Sequence, residues 1–460
     1  MASAGTDGAP VDALRAALPP GAVLTDPAST EAYRHDWTRL PDAGFPLAVV
    51  RAGSAEDVRA AVAWAAEHRV PVVPRGAGTS LAGGATAVDG CLVLSTERMT
   101  GVEIDPATRT AVVEPGALNA AVKDAAAAHG LWYPPDPGSF RISTIGGNVA
   151  TDAGGICCVK YGVTRDYVLG LDVVLADGRL VSLGGRTVKD VAGLPLLELF
   201  VGNEGTLGVI TRVVLRLIPL PSPAATLVAY FDGPRDAARA VVAMGARVRP
   251  SMLELMDSAV IDAVEAFSPM GLDRDAGALL IGQSDAPGAA RSVEVAGMAE
   301  CCEQAGARSV FATDDPAEGD LFLEARRAAG PAISARGSVL AEDICVPVDQ
   351  LPTAMERIEA VAREHRTEIP VVAHAGDGNL HPALVFPPGD ADARRRAEEA
   401  FAAILRVALE CGGTITGEHG VGRTKRAALP AQLGEDVMEL GQRVRGALDP
   451  LGILNPGVLW

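Results

Sequence analysis

The chain has 460 residues, 48% apolar and 21% charged, and its 58 acidic against 40 basic side chains give a formal net charge of −18. One core of that size would be unusually large, so two or three domains are expected. The acidic balance argues against charge-driven binding to nucleic acid or an anionic membrane, and no apolar run reaches the ~18 residues of a membrane-crossing helix.

Met1 to Asp7 have neither the basic region nor the apolar run of a secretory leader, and residues 1–42 read as a helical and coil lead-in. Ala48-Val49-Val50 is apolar, and Ser54-Ala55-Glu56-Asp57 signals the capped start of a helix reaching about His68. Val70 to Val73 is a short strand that runs into Arg75-Gly76-Ala77-Gly78-Thr79-Ser80-Leu81. A helix over about Ala117 to His129 stops at Gly130, a suitable left-handed cap, and strands recur near 171–176, 180–183 and 209–217. Pro219 to Pro223 marks a boundary. Beyond it, strands at Thr226–Phe231, Met252–Met256, Ala278–Gly282, Val310–Thr313 and Ser338–Val346 alternate with helices near 234–246, 289–305, 317–329 and 350–365. That alternation predicts an antiparallel sheet with helices on one face. Helices near 391–411 and 434–447 precede a turn-rich tail at 448–457. The seven cysteines form no CxxC pair and are odd in number, which disfavours zinc ribbons, iron–sulfur clusters and a disulfide framework. A reducing cytoplasm is the simple inference.

The loop at Arg75–Leu81 follows a strand, as a phosphate loop should. Leu81 stands at the third glycine position of GxGxxG and no lysine follows, so neither the nicotinamide fingerprint nor a Walker site is supported. Consecutive backbone N–H groups, two hydroxyls and Arg75 still make a workable nest for a pyrophosphate. A second glycine-rich loop runs from Pro137 to Asn148 and on to Gly155, and a third from Gly202 to Val209. Three such loops in one domain suggest backbone approaching a long, flat ligand at several points.

His374-Ala375-Gly376-Asp377-Gly378-Asn379-Leu380-His381 carries the strongest chemistry. With Gly376 to Asn379 as a turn between apolar flanks, Ala375 faces Leu380 and His374 faces His381. Opposed residues of a hairpin lie about 4.5–5.5 Å apart at Cβ, so both imidazoles reach one ion. Two histidines with a carboxylate, here Glu418 of Glu418-His419, make a divalent-metal set with positions left for substrate.

Together these segments resemble the flavin-linked 2-hydroxy-acid dehydrogenases of the vanillyl-alcohol-oxidase superfamily. The branch holds cytochrome-linked D-lactate dehydrogenase, the glycolate oxidase flavin subunit and D-2-hydroxyglutarate dehydrogenase. The markers are residues 74–84, 145–155, 199–211, 374–381, 416–422 and 448–457, in order over most of the chain. The resemblance implies an α+β fold. A two-subdomain FAD-binding domain of PCMH type would span 43–220, and a ferredoxin-like cap or substrate domain with the metal site 221–430. A C-terminal segment, 431–460, would return to the first. By motif position Arg75, Gly76, Gly78, Thr79 and Ser80 would hold the FAD pyrophosphate. Gly138, Ser139, Thr144, Gly146, Gly147, Asn148, Gly154 and Gly155 would line the dinucleotide, with Val209 and Ile210 near the isoalloxazine and Asn455 reaching in from the tail. The first loop has no histidine for covalent attachment, so non-covalent FAD is expected.

The mechanism so implied oxidises a small D-2-hydroxy acid of the D-lactate or glycolate type, with hydride passing to flavin N5 and the proton to His419. His374, His381 and Glu418 would hold zinc or manganese against the substrate hydroxyl, Asn379 would orient ligands from behind, and Arg326 would pair with the carboxylate. Arg327 fits either that same role or a solvated helix face. Glutarate-type relatives typically carry Lys and Asn where this chain has Ala341 and Ala383, which favours the smaller acid. Electrons would leave to an external cytochrome, quinone-linked or iron–sulfur acceptor. An oxygen-using oxidase, a D-2-hydroxyglutarate dehydrogenase and a non-catalytic flavin relay stay open, as do a homodimer and a peripheral membrane contact.

Overall fold

The computed structural model describes residues 11–460, so the leader reading at Met1 to Asp7 lies outside the described residues. Two compact units emerge. The first holds the described residues up to Ala153 with Val163–Leu220 and Glu418–Trp460; the second holds Gly154–Gly162 and Pro221–Gly417. The break after Leu220 falls in the proline-rich stretch, whereas 154–162 and 418–430 group with the other unit than the sequence suggested. Among the described residues, no helix is long and apolar enough to cross a membrane.

The first unit is built on two sheets. Val23–Leu24, Ala48–Arg51, Leu92–Ser95 and Val72–Arg75 form the first in that order, the last three strands parallel. Parallel strands are covered on both faces, which explains the unbroken apolar runs of Ala48–Val50 and Leu92–Leu94. Helix Ala55–His68 follows the first of the parallel strands. Ser54 accepts Asp57 N–H at its start, and Arg69 ends it in the left-handed region. Val58, Ala61, Val62 and Ala65 make its buried stripe. The second sheet is wholly antiparallel: Val102–Asp105, Thr110–Val113, Val209–Arg216, Val168–Val174 and Leu180–Gly184. These are the two α+β subdomains expected of an FAD-binding domain. The tail extends the first sheet, with Val72 N–H bonding Ile453 O at 2.8 Å and Asn455 N–H bonding Val72 O at 2.8 Å. Part of the second glycine-rich loop proves helical, Ile145–Thr151, because Thr144 caps it and Asp152 closes it with φ of 53°.

The second unit is an eight-stranded antiparallel sheet. Its order is Ser309–Thr313, Ala225–Phe231, Ala278–Ser284, Met252–Asp257, Val371–His374, Asn379–Phe386, Ser338–Ala341, with Ile344–Cys345 also on Asn379–Phe386. Helices cover both faces, not one. Met252, Met256 and Val372 pack with helices Ser258–Phe267 and Pro316–Ser334. On the other face, a Cβ added to Gly282 would meet Leu253, Leu227 and Met298, the last from helix Ala290–Gln304. Strands apolar at successive positions, such as Met252–Met256, require that double cover. Helix Ser258–Phe267 is absent from the elements expected of the sequence; Asp257 caps it by accepting Val260 N–H at 2.9 Å.

The histidine hairpin also differs in register. The turn is Ala375–Gly378, so His374 pairs with Asn379 and Val372 pairs with His381. Gly378 forces this by its φ of +80° and its close approach to the neighbouring backbone, where a Cβ would lie 2.0 Å from Val346 O. The two histidines are diagonal rather than opposed, yet they share a face because 379 and 381 alternate together. A Gly378→Ala variant should lose at least about 2 kcal/mol of unfolding free energy, from backbone strain plus the clash. Gly389→Ala, at φ +81° with nothing within 4 Å of a new Cβ, should lose about 1 kcal/mol. Denaturant unfolding of both variants checks the contrast, and equal losses would discount the Val346 contact.

Candidate active site

The second unit gathers polar groups on the face shared by His374 and His381. Their rings stand edge to face with centroids 4.9 Å apart. Glu254, fully buried, sits directly across from His374 on the adjoining strand. Its Oε1 lies 2.7 Å from His374 Nδ1, and its Oε2 accepts Arg326 Nε–H at 2.6 Å. Arg326 reaches it from helix Pro316–Ser334, which covers that same face, while Arg327 points to solvent.

A second buried carboxylate organises the other flank. Asp343 accepts Asn379 Nδ2–H at 2.6 Å on one oxygen, and Thr416 Oγ1–H at 2.7 Å and Gly417 N–H at 2.8 Å on the other. Its Oδ1 is also 3.6 Å from His381 Nδ1. Asn379 therefore acts as a strut: a Cβ on Gly417 would lie 2.2 Å from its Nδ2. Glu254 and Asp343 were not singled out from the sequence. The available signal was an acidic residue inside an otherwise apolar strand, Met252-Leu253-Glu254-Leu255-Met256. Gly376, in the turn, packs on Val159, so residues 154–162, including Gly154 and Gly155, run beside the hairpin.

Imidazoles this close, one of them with Nδ1 against a carboxylate oxygen, are a donor set that suits a divalent cation. Hydrogen bonding at Nδ1 leaves the neutral ring's lone pair on Nε2.

In the first unit the glycine loops converge. Gly76 abuts the second loop, since a Cβ there would lie 2.2 Å from Thr144 Oγ1; a Cβ on Gly146 would lie 2.6 Å from Pro115 Cβ. Gly78 has φ of +73°, and a Cβ on it would lie 2.1 Å from Arg75 Nη2. Arg75 thus folds back over its own loop and donates to Ala85 O at 3.3 Å. Burial pushes its guanidinium below the usual range, and among the described residues no carboxylate lies within salt-bridge distance of it. A half-buried cation beside side-chain-free backbone fits a dinucleotide phosphate. Thr79 lies in the same loop, and Ser80 Oγ accepts Ala82 N–H and Gly84 N–H at 3.3 and 3.2 Å. Ser139 O accepts Ile142 N–H and Ser143 N–H at 2.8 Å each, shaping the turn after Gly138, whose Cβ position is open. Thr144 and Gly147 form the helix cap. Asn148 is committed internally, to Asn119 at 3.0 Å and Ser143 at 3.2 Å, so its side chain braces the loop. Val209 and Ile210 bury their side chains in the core, leaving backbone for any ligand contact.

The loop carrying Glu418 and His419 belongs to this unit, with His419 Nε2 3.9 Å from Glu418 Oε1. Buried Glu204 anchors the continuation of that loop, accepting Val421 N–H and Gly422 N–H at 2.8 Å each. Asn455 Nδ2 bridges Glu204 O at 2.7 Å and Gly84 O at 2.8 Å, joining tail, first loop and third loop.

The comparisons with known proteins break the chain at the same proline-rich stretch, although the second family model runs on through the residues after Gly417 that pack in the first unit. The family model described as FAD binding domain matches residues 46–184, and that described as FAD linked oxidases, C-terminal domain, matches residues 220–459. The chain belongs to the FAD-linked oxidases and is a flavin-dependent oxidoreductase. It is 39% identical over 419 residues to the glycolate oxidase subunit GlcD of Bacillus subtilis (strain 168), covering 90% of this chain and 89% of that one. It is 35% identical over 435 residues to a D-lactate dehydrogenase of Archaeoglobus fulgidus, covering 93% and 95%. A D-2-hydroxyglutarate dehydrogenase of Stutzerimonas stutzeri is 33% identical over 487 aligned positions, covering 99% of each.

Burial raises the Glu204 carboxyl from 4.5 to about 7. Below the lower value both folded and unfolded chains hold the proton. As pH climbs toward 7 the unfolded chain ionises first, so this residue's contribution to stability is lost across that window and levels off above it. Glu204→Gln should remove the effect. Plotted against pH, the wild-type unfolding midpoint should fall relative to the variant's between about pH 4.5 and 7.5; parallel curves would contradict the assignment.

Proposed function

We propose that the protein oxidises a small D-2-hydroxy acid, of the lactate or glycolate type, to the 2-oxo acid and passes the electrons to an external acceptor. The observation that carries this reading is the face bearing His374, His381, Glu254 and Arg326: a cation-binding donor pair and a guanidinium, tied by one carboxylate. Bound FAD would supply the two-electron acceptor. A divalent cation such as zinc or manganese, held by His374, His381 and Glu418, would make the hydroxyl a better acid. The remaining work falls to the chain. His419 takes the hydroxyl proton on an imidazole nitrogen. Arg326 binds the substrate carboxylate with its terminal N–H groups, which fixes the Cα–H direction. Asn379, through Asp343, holds the segment that leads to Glu418.

A pair of methyl groups supports the size of the acid. Ala341 and Ala383 are direct cross-strand partners, and Ala383 is two residues beyond His381 on the same face. A second substrate carboxylate reaching that place would meet two methyl groups, and burying a charge unpaired is costly. This weighs against a glutarate-type substrate despite the relative of that name.

His374→Ala or His381→Ala should keep FAD bound while slowing flavin reduction by the hydroxy acid at least about a thousandfold, the size of a lost Lewis acid; stopped-flow bleaching at the flavin band reads it, and wild-type rates would remove the metal from the scheme. In a substrate panel, kcat/KM for D-lactate or glycolate should exceed that for D-2-hydroxyglutarate by about tenfold or more, the reach of one unpaired buried group. The reverse order would overturn the size argument.

A further inference from the structure

One carboxylate serves two residues that the proposed reaction uses for different purposes. We infer that Glu254 is a positioning residue that sets the metal-binding imidazole of His374 and the substrate-binding guanidinium of Arg326 together. The inference rests on the proposed function and assigns a role that function does not require.

Glu254 is wholly buried, and its two partners have side chains only 7% (His374) and 15% (Arg326) exposed, so water offers the carboxylate little alternative. Each oxygen takes a different donor: Oε1 faces His374 Nδ1, and Oε2 takes Arg326 Nε–H. An ionised carboxylate accepts only, so the hydrogen of the neutral imidazole is drawn to Nδ1 and the lone pair to Nε2. That is the tautomer in which a histidine on this face coordinates a cation through Nε2. The same carboxylate grips Arg326 by its Nε edge. Among the described residues Arg326 makes no other hydrogen bond, which leaves the fork of its two terminal nitrogens for a second carboxylate. Cross-strand pairing of Glu254 with His374 fixes the first contact, and helix Pro316–Ser334 fixes the second. Replacing the carboxylate by an amide leaves one acceptor oxygen for two donors. Either one contact is then lost, or the ring accepts from the amide with its own proton moved to Nε2, where it blocks the metal-binding lone pair.

The test uses the FAD-loaded protein stripped of metal. Zinc(II) affinity is read by competition with a chromophoric chelator, and KM and kcat for the best hydroxy acid are read after zinc is restored. Glu254→Gln should weaken zinc binding by about 10–100-fold, as loss of a carboxylate behind a ligating imidazole does. It should also raise KM at least about tenfold, with flavin content and visible spectrum unchanged. Glu254→Asp keeps the charge, one methylene short, and should fall between. Zinc affinity and KM both within twofold of wild type in Glu254→Gln would overturn the inference. His374→Ala separates the two levels: if it too binds zinc normally, the metal reading of the function has failed, whereas if it loses zinc while Glu254→Gln does not, only the positioning role has. Should the Glu254 variants fail to fold, nitrogen-15 histidine spectra of the metal-free wild type decide. A proton on Nδ1 of His374 supports the role, and a proton on Nε2 contradicts it.

Discussion

A carboxylate buried away from water must have both oxygens met by donors, and this chain uses that requirement to fasten its loops. Glu254 spans His374 and Arg326. Asp343 spans Asn379 and the Thr416–Gly417 backbone, and Glu204 takes two successive N–H groups after His419. The pattern extends beyond the site. Asp36 collects Thr38, Thr86 and Ala85, and Asp449 collects Ile453 and Leu454. Hydrogen bonds to a charged group are worth about 1.5–3 kcal/mol each, but removing one partner of a buried pair costs about 3–5 kcal/mol. The asymmetry makes each tie specific: the loop has one arrangement that satisfies the acid and many that do not.

Apart from Glu254, which joins two strands and a helix, those ties lie where secondary structure cannot fix position. The glycine loops of the first unit and the segment after Thr414 have no ladder of their own. In the second unit, by contrast, the sheet sets the site directly. The diagonal placement of His374 and His381 follows from the turn at Gly378, and Ala341 opposite Ala383 from the neighbouring strand pair. A rigid sheet is a suitable base for ligands whose spacing must be held to a fraction of an ångström.

Much of this was legible in the sequence because it is local or periodic. The long helices at 290–304, 351–365 and 391–410 begin and end within about a residue of the ranges expected from the sequence. The domain break at the proline run and the antiparallel second sheet were equally readable. The hairpin register was not, since it depends on Gly378 passing within reach of Val346, a contact between segments distant along the chain. The second helical layer, including Ser258–Phe267, was hidden because apolar strands signal burial without saying what covers each face. Glu254 and Asp343 were missed for a related reason. An acid alone in an apolar run, as Glu254 is, or beside another acid, as Asp343 is beside Glu342, has meaning only when its partners, 120 and 36 residues away, are known.

The central claim is that the two imidazoles of the hairpin grip a cation. Crystals of the purified protein, measured with X-rays on either side of the zinc and manganese absorption edges, test it most directly. The account predicts one anomalous peak within bonding distance of both His374 and His381. An active preparation whose crystals show no such peak there, or show it elsewhere, would contradict it.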